Sequence, residues 1–189
     1  MGSPKALLPV PGGGFFVSRI VRAFQAAGVE DVILVTGDHH DAIADALARE
    51  SLSSLVRIVR NPDPSRGQLS SLWTGMDAAL GPDCEALLVT LVDVPLIDAA
   101  TVSRVIEAWR AERAPIVRPA RGSRHGHPVL FDAALFDALR AAPLDAGAKA
   151  VVRSYADRIV NVPVEDDGCL VDIDTPDDYR SLQPEASGT

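Results

Sequence analysis

Cysteine is scarce in this chain of 189 residues: Cys84 and Cys169 are the two present. Two cysteines cannot form a disulfide framework, and neither lies in a C-x-x-C pair. We read both as reduced, semi-buried thiols of a cytoplasmic protein. Long apolar runs are missing too. None approaches the roughly 20 residues that a membrane span needs, and no charged stretch followed by an apolar one marks the N-terminus for export. Positive charge is short: 18 Lys and Arg against 26 Asp and Glu give a formal net charge of −8. Such a chain has no general field for collecting nucleic acid. A small anionic substrate would need its own local cations or a metal ion.

What is present is globular. Hydrophobic residues make up 47% and charged residues 23%, values that suit one domain with a proper core. Short apolar runs alternate with amphipathic stretches. Helices are expected over Phe15–Ala27, Ala42–Glu50, Leu69–Leu80 and Ala99–Glu112, and near Ala133–Ala141 and Ala146–Tyr155. Strands are expected over Val32–Thr36, Leu55–Val59, Ala86–Val92, Ile116–Arg118, Val129–Phe131, Ile159–Val164 and Cys169–Ile173. Ala86–Val92 is the most apolar of these and lacks polar alternation, which suits a parallel strand covered on both faces. A last helix starts after Thr175, with Pro176 at its first position and Asp178 completing a capping box. The alternation implies an α/β fold with a parallel sheet and helices on both faces. The domain spans residues 1–183, and 184–189 form a polar tail.

In open α/β sheets ligands bind beyond the carboxyl ends of the strands. Asp93 follows the most apolar strand, and Asp172 and Asp174 follow another. Two acids from two strand ends are a minimal set for Mg²⁺, which keeps positions for water and phosphate oxygens. Either of Asp172 and Asp174 could serve, and each acid alone could equally be a turn or helix cap. Lys5 can clamp phosphates as a point charge, although such a lysine is more often only solvated. Asn61-Pro62 and Gly67-Gln68-Leu69-Ser70-Ser71 lead into a helix start, a setting for an anion or ribose as well as for an ordinary cap. His125-Gly126-His127 is read as a substrate-contacting loop rather than a zinc site. His39-His40 is read as loop, and Trp73 and Trp109 as core residues.

The order of these segments carries more than any one of them. Ser3-Pro4-Lys5-Ala6-Leu7-Leu8-Pro9, Val35-Thr36-Gly37, Asn61-Pro62 with Gly67–Leu72, and Asp93-Val94-Pro95-Leu96 follow one another. Gly126-His127-Pro128-Val129-Leu130-Phe131, Asp145–Lys149 and Asp172-Ile173-Asp174-Thr175-Pro176-Asp177-Asp178 come after them. The series resembles the MobA-like NTP transferase family, most of all its molybdenum-cofactor cytidylyltransferase (MocA-type) branch. The likeness runs from Gly2 to about Leu182. It implies a single-domain Rossmann-like nucleotidyltransferase fold with a mostly parallel sheet. It implies Lys5, Asp93 and Asp174 as catalytic residues, with Mg²⁺ held by Asp93 and Asp174. It implies a nucleotide met by Lys5, Asn61, Gly67, Gln68, Ser70, Ser71 and Asp93, and an acceptor met by Gly126, His127 and Pro128. The partners would be an NTP, CTP or GTP, and a phosphorylated molybdopterin-type acceptor, with contact to a molybdoenzyme or its maturation chaperone.

One departure stands out. Family members begin with a strand and a glycine-rich loop of the form L-A-A-G-x-S-x-R-M-G, ahead of the segment matching Ser3-Pro4-Lys5, and neither is in this sequence. Gly12-Gly13-Gly14 does not replace that loop, because no strand leads into it. Two readings follow: Met1 is an internal methionine taken for the start, or the chain is shortened and catalytically inactive, a relative that binds a cofactor or partner. A sugar phosphate or other small phosphorylated alcohol is an alternative acceptor. A dinucleotide-dependent oxidoreductase lacks the G-x-G-x-x-G turn it would need.

Overall fold

The computed structural model describes residues 4–182. Gly2 and Ser3 of the first motif, and the tail at 184–189, lie outside the described residues.

Seven helices and seven strands follow the chain among those residues. The helices are α1 (Phe16–Ala26), α2 (His40–Arg49), α3 (Gln68–Ala79), α4 (Ala99–Glu112), α5 (Phe136–Arg140), α6 (Ala148–Ser154) and α7 (Pro176–Ser181). The strands are β1 (Ile33–Thr36), β2 (Arg57–Arg60), β3 (Ala86–Val89), β4 (Ile116–Arg121), β5 (Arg124–His125), β6 (Val129–Asp132) and β7 (Ile159–Pro163). Local chemistry sets the ends. Ser18 accepts from the Phe15 N–H at 2.8 Å to open α1. Thr175 and Asp178 cap α7 reciprocally.

β1 and β2 pair in parallel. In the other sheet β3 runs antiparallel to β6, and β6 antiparallel to β4. β3 and β4 therefore share a direction, and β7 joins β4 in parallel. The mostly parallel sheet thus holds one antiparallel strand, β6, and a short hairpin return, β5.

Helices cover both faces. Neighbouring strand residues point to opposite sides, and Ile116 and Val117 of β4 fall into different cores. Val117 packs with Val102, Val105 and Trp109 of α4, while Ile116 packs with Leu69 and Met76 of α3 and Val151 of α6. A third cluster joins α1 and α2 through Val21, Ile43 and Leu47. A fourth sets Leu8, Val10 and Phe16 against Ile173. Phe16 is fully buried there, a contribution of about 1.5–3 kcal/mol. That cluster, with the Tyr179 hydroxyl donating to the Pro9 carbonyl at 2.9 Å, fastens the Lys5 segment to the segment holding Asp174.

Four sequence expectations are corrected. Residues 169–173 form no strand: Gly168–Leu170 is a 3-10 turn. The carbonyl of Cys169 accepts from the His127 N–H, while the Ile173 N–H donates to the Asp93 carbonyl. Two different partners preclude a ladder. The strand expected at Ala86–Val92 ends at Val89, because β6, its hydrogen-bonding neighbour, starts at Val129 opposite that residue. The helix expected near Ala133–Ala141 is a 3-10 turn over Ala133–Leu135, set by the Asp132 side chain accepting from the Ala134 N–H, and then α5. His40 is the first residue of α2 rather than loop, its Nδ1 2.7 Å from the Thr36 hydroxyl. No helix among the described residues is long and apolar enough to cross a membrane.

Candidate functional site

Asp93 follows β3 after a short apolar stretch. Its carbonyl accepts from the Ile173 N–H at 2.7 Å, which brings the Asp172–Asp174 segment alongside. Lys5 opens a 3-10 turn (Lys5–Leu7) and reaches both. Its Nζ donates to Asp174 Oδ1 at 2.6 Å and lies 4.0 Å from Asp93 Oδ2. Three residues spread across 169 positions of sequence thus share one ammonium.

The two acids differ. The Asp93 side chain is 24% exposed and that of Asp174 64%. Burial raises the Asp93 carboxyl above the ordinary range; Lys5 opposes the rise, and Asp172 and Asp174 add to it. Asp93 Oδ1 is buried with no hydrogen-bond partner among the described residues. Asp178 fixes the Asp174 backbone, accepting from the N–H groups of Asp174 and Thr175 at 3.1 and 2.8 Å.

Gly126, His127 and Pro128 border this group. The His127 N–H donates to Cys169 at 2.8 Å, and a Cβ on Gly126 would come within 2.1 Å of that same carbonyl. Only glycine permits so close an approach. The half-buried His127 ring lies 3.4 Å by Nδ1 from the Val89 carbonyl. Burial lowers its pKa, against the pull of Asp172 and Asp93. The ring is therefore neutral at pH 7, with one nitrogen left to accept.

The Asn61 group is a separate unit. Asn61 Nδ2 donates to the hydroxyls of Ser70 at 2.8 Å and Ser71 at 3.0 Å, and its Oδ1 accepts from the Asp63 N–H. Ser70 Oγ lies 2.7 Å from the Gly67 carbonyl. Gly67 is the N-cap of α3, and Gln68 its first residue. A cavity of about 330 Å³ opens beside this loop, lined in part by Asn61, Arg66, Ser70 and Trp73. No hydrogen bond or ion pair joins the loop to Lys5, Asp93 or Asp174 among the described residues.

The structure adds one residue that sequence reasoning passed over. The Thr90 hydroxyl is buried without a partner among the described residues, like Asp93 Oδ1. Its signal was legible: Thr90 is the one polar residue in Ala86–Val92. Of the tryptophans, Trp109 is buried with its Nε1 donating to Asp132, and Trp73 donates to the Leu139 carbonyl. Cys84 and Cys169 are both free thiols.

Comparison with known proteins gives the family and the fold. The sequence profile of the MobA-like NTP transferase domain matches residues 1–159. Molybdenum cofactor cytidylyltransferase of Escherichia coli (strain K12) is 27% identical over 180 residues, covering 95% of this chain and 86% of that protein. The crystal structure of Rv0371C from Mycobacterium tuberculosis H37Rv, a complex with manganese, is 30% identical. It superposes with a TM-score of 0.74 over 96% of this chain and 92% of its own. The fold alone is shared with a 4-diphosphocytidyl-2C-methyl-D-erythritol synthase from Anaerococcus prevotii DSM 20548, at 19% identity and TM-score 0.71, covering 90% of this chain and 85% of that one.

Proposed function

The chain belongs to the MobA-like NTP transferase domain family, and on that footing we propose that it moves CMP from CTP to a phosphorylated molybdopterin-type cofactor in the cytoplasm, releasing pyrophosphate. The observation that carries the chemistry is Lys5 Nζ set between Asp93 and Asp174. The choice of cytidylyl and pterin follows the likeness to the Escherichia coli enzyme.

The residues fit a divalent cation of the Mg²⁺ class. Asp93 Oδ1 is buried and unpartnered among the described residues, and Asp174 lies across the same lysine. One or two carboxylates plus substrate phosphates are what Mg²⁺ takes. The similar Rv0371C was solved with manganese, an ion of related oxygen preference. When bound, the ion neutralises charge on the phosphates and on the leaving group.

Each residue has a task in that reaction. Lys5 turns from Asp174 toward the phosphate oxygens and compensates their negative charge. Asn61 holds Ser70 and Ser71 at the start of α3, beside which the nucleoside lies. Neutral His127, next to Gly126 and Pro128, accepts from a hydroxyl or N–H of the acceptor and orients it. A terminal phosphate oxygen of the acceptor attacks the α-phosphorus. The new P–O bond forms as the bond to the β-phosphate oxygen breaks, and pyrophosphate leaves with the electron pair. No proton has to be removed from the attacking phosphate oxygen, so no general base is needed.

The test is pyrophosphate release from CTP, GTP, ATP and UTP with Mg²⁺ and a molybdopterin-type acceptor. Release with CTP that depends on both acceptor and Mg²⁺ supports the reading. Release with a sugar phosphate instead would relocate the acceptor class. No release with any pair, together with retained nucleotide binding in thermal-shift assays, would favour the catalytically inactive relative.

A further inference from the structure

Ile116 and Ile159 are partners in the parallel β4–β7 ladder, and both pack beneath α3 and α6. Two residues further along each strand, the next pair on that face is Arg118 and Asn161. The helical cover has ended there: Arg118 is half-buried and Asn161 exposed. His125 of β5, opposite Ala120, adds its ring to the same face. The Gly126 N–H donates to the Pro119 carbonyl at 3.0 Å, so this polar shelf borders Gly126 and His127 at the carboxyl ends of the strands, where ligands of such sheets bind. We infer that Arg118 selects the acceptor, holding the edge of a planar heterocycle that presents a carbonyl oxygen and a neighbouring ring nitrogen. On the nucleotidyl-transfer reading, from which this follows, that edge is the end of the acceptor remote from its reacting phosphate.

Arg118 lacks an answering charge within the protein. Its Nε donates to Asn161 Oδ1 at 2.9 Å, a neutral partner. Arg121, further along β4, pairs with Asp167, whereas no carboxylate pairs with Arg118 among the described residues. Burial lowers the Arg118 pKa, with no acid offsetting the fall. A guanidinium stays charged all the same, so a half-buried one gains from acceptors that arrive with a ligand. The Asn161 bond fixes the plane of the group and leaves its two Nη atoms as a fork for paired acceptors.

Reach and chemistry point to a ring rather than to a phosphate. β6 stands between β3 and β4, so Arg118 lies two strands, about 10 Å, from the strand that leads to Asp93. The reacting phosphate belongs beside Lys5 and Asp93, and Arg118 meets what that phosphate carries. Around the fork the polar groups are mixed in kind. Asn161 Nδ2 is a donor. The His125 ring is kept neutral at pH 7 by burial and by the charge of Arg118, so one of its nitrogens accepts. A phosphate dianion is best met by donors alone. A pterin-type ring carries a carbonyl, ring nitrogens and an amino group along its rim and offers both kinds. Its carbonyl oxygen and adjacent nitrogen match an arginine fork in the way the O6/N7 edge of guanine does.

Binding of neopterin monophosphate to the full chain, followed by pterin fluorescence, tests this without turnover. Saturable binding is expected, weakened about tenfold in Arg118→Gln, the effect of losing one charge-assisted contact. Arg118→Lys should lose as much, because it keeps the charge but not the fork. Asn161→Ala, at an exposed position, should weaken binding about threefold by letting the fork turn. Glycerol phosphate, titrated by calorimetry, should bind the parent chain and all three variants alike, and their circular dichroism should match. No saturable binding of neopterin monophosphate to the parent chain overturns the assignment, as does an unchanged affinity in Arg118→Gln. A fall for glycerol phosphate by the same factor would make Arg118 a phosphate ligand and overturn it too. Full rescue by Arg118→Lys would leave a point charge in place of the fork. Failure of the transfer reading looks different: no pyrophosphate is released from CTP by the parent chain, while the pterin affinity still depends on Arg118.

Discussion

The two halves of the candidate site differ in how their polar groups are satisfied. Around Asn61 nearly every bond is closed internally: the amide serves Ser70, Ser71 and the Asp63 N–H, and Ser70 bonds the Gly67 carbonyl. Asn61 and Ser70 are 4% and 5% exposed, which only a completed network permits at low cost. Around Asp93 the opposite holds. One carboxylate oxygen and the Thr90 hydroxyl are buried without partners among the described residues, and the carboxyl pKa is driven up. The loop is a finished scaffold, whereas the carboxylate half still requires a ligand. Buried unmet groups of this kind concentrate where chemistry is done.

If the carboxylate half is the chemical one, its removal should spare the fold. Asp93→Ala should lower turnover by more than about 100-fold, as metal-site losses commonly do. Circular dichroism should stay near that of the parent chain. Asp174→Ala should show a loss of the same order. If Asp172→Ala is the damaging change while Asp174→Ala is mild, the partner acid has been chosen wrongly. Near-normal turnover in Asp93→Ala would erase the distinction between the halves.

The scaffold half should fail in the other way. Asn61→Ala leaves the Asp63 N–H without its acceptor and the buried Ser70 oxygen without its donor, which should cost about 1–3 kcal/mol. Urea denaturation measures this as a lower midpoint at unchanged slope. Unaltered stability with lost activity would show instead that the Asn61 amide is held in reserve for a ligand.

A third contrast uses pH. The Asp93 carboxyl is raised in the folded chain, so folding favours its protonated form. The resulting stability is fully present below the unfolded value of 3.8 and is lost as pH rises through the higher folded pKa. Without divalent cations, Asp93→Asn should therefore melt above the parent chain at neutral pH. The difference should shrink toward zero as the buffer approaches pH 3. Added Mg²⁺ should raise the parent melting temperature and not the variant's. A variant less stable than its parent at neutral pH would mean that the Lys5 attraction outweighs burial.

How much of this was open to sequence reasoning depends on whether local chemistry or a distant partner decides. The α7 cap was legible, because Thr175, Pro176 and Asp178 interact within one turn. The bounds of α4 were also legible, from apolar spacing over a long helix. The segment at 169–173 was not. Its apolar alternation is real, with Cys169 and Ile173 buried, but its backbone partners, His127 and Asp93, lie far off in the chain. For the site, the acids and Lys5 could be named from order and residue type. Their meeting around one Nζ could not, since it depends on Leu8, Val10 and Phe16 packing against Ile173.

The smallest expected effect refines the contrast within the loop itself. Ser70 is buried and bonded to Asn61 and to the Gly67 carbonyl. Ser71, half-buried beside it, accepts from Asn61 at 3.0 Å, and its own proton has no acceptor among the described residues. Of the two hydroxyls, Ser71 is thus the one free to donate to a ligand. Ser71→Ala should cost no more than about 0.5–1.5 kcal/mol, the net worth of a typical hydrogen bond. Its kinetic signature should be a raised KM for the NTP at unchanged kcat, the mark of a contact made equally in the ground and transition states. Ser70→Ala should show the reverse balance, with stability falling first. If the two variants behave alike, the loop is scaffold throughout, and the nucleoside must be held by other residues.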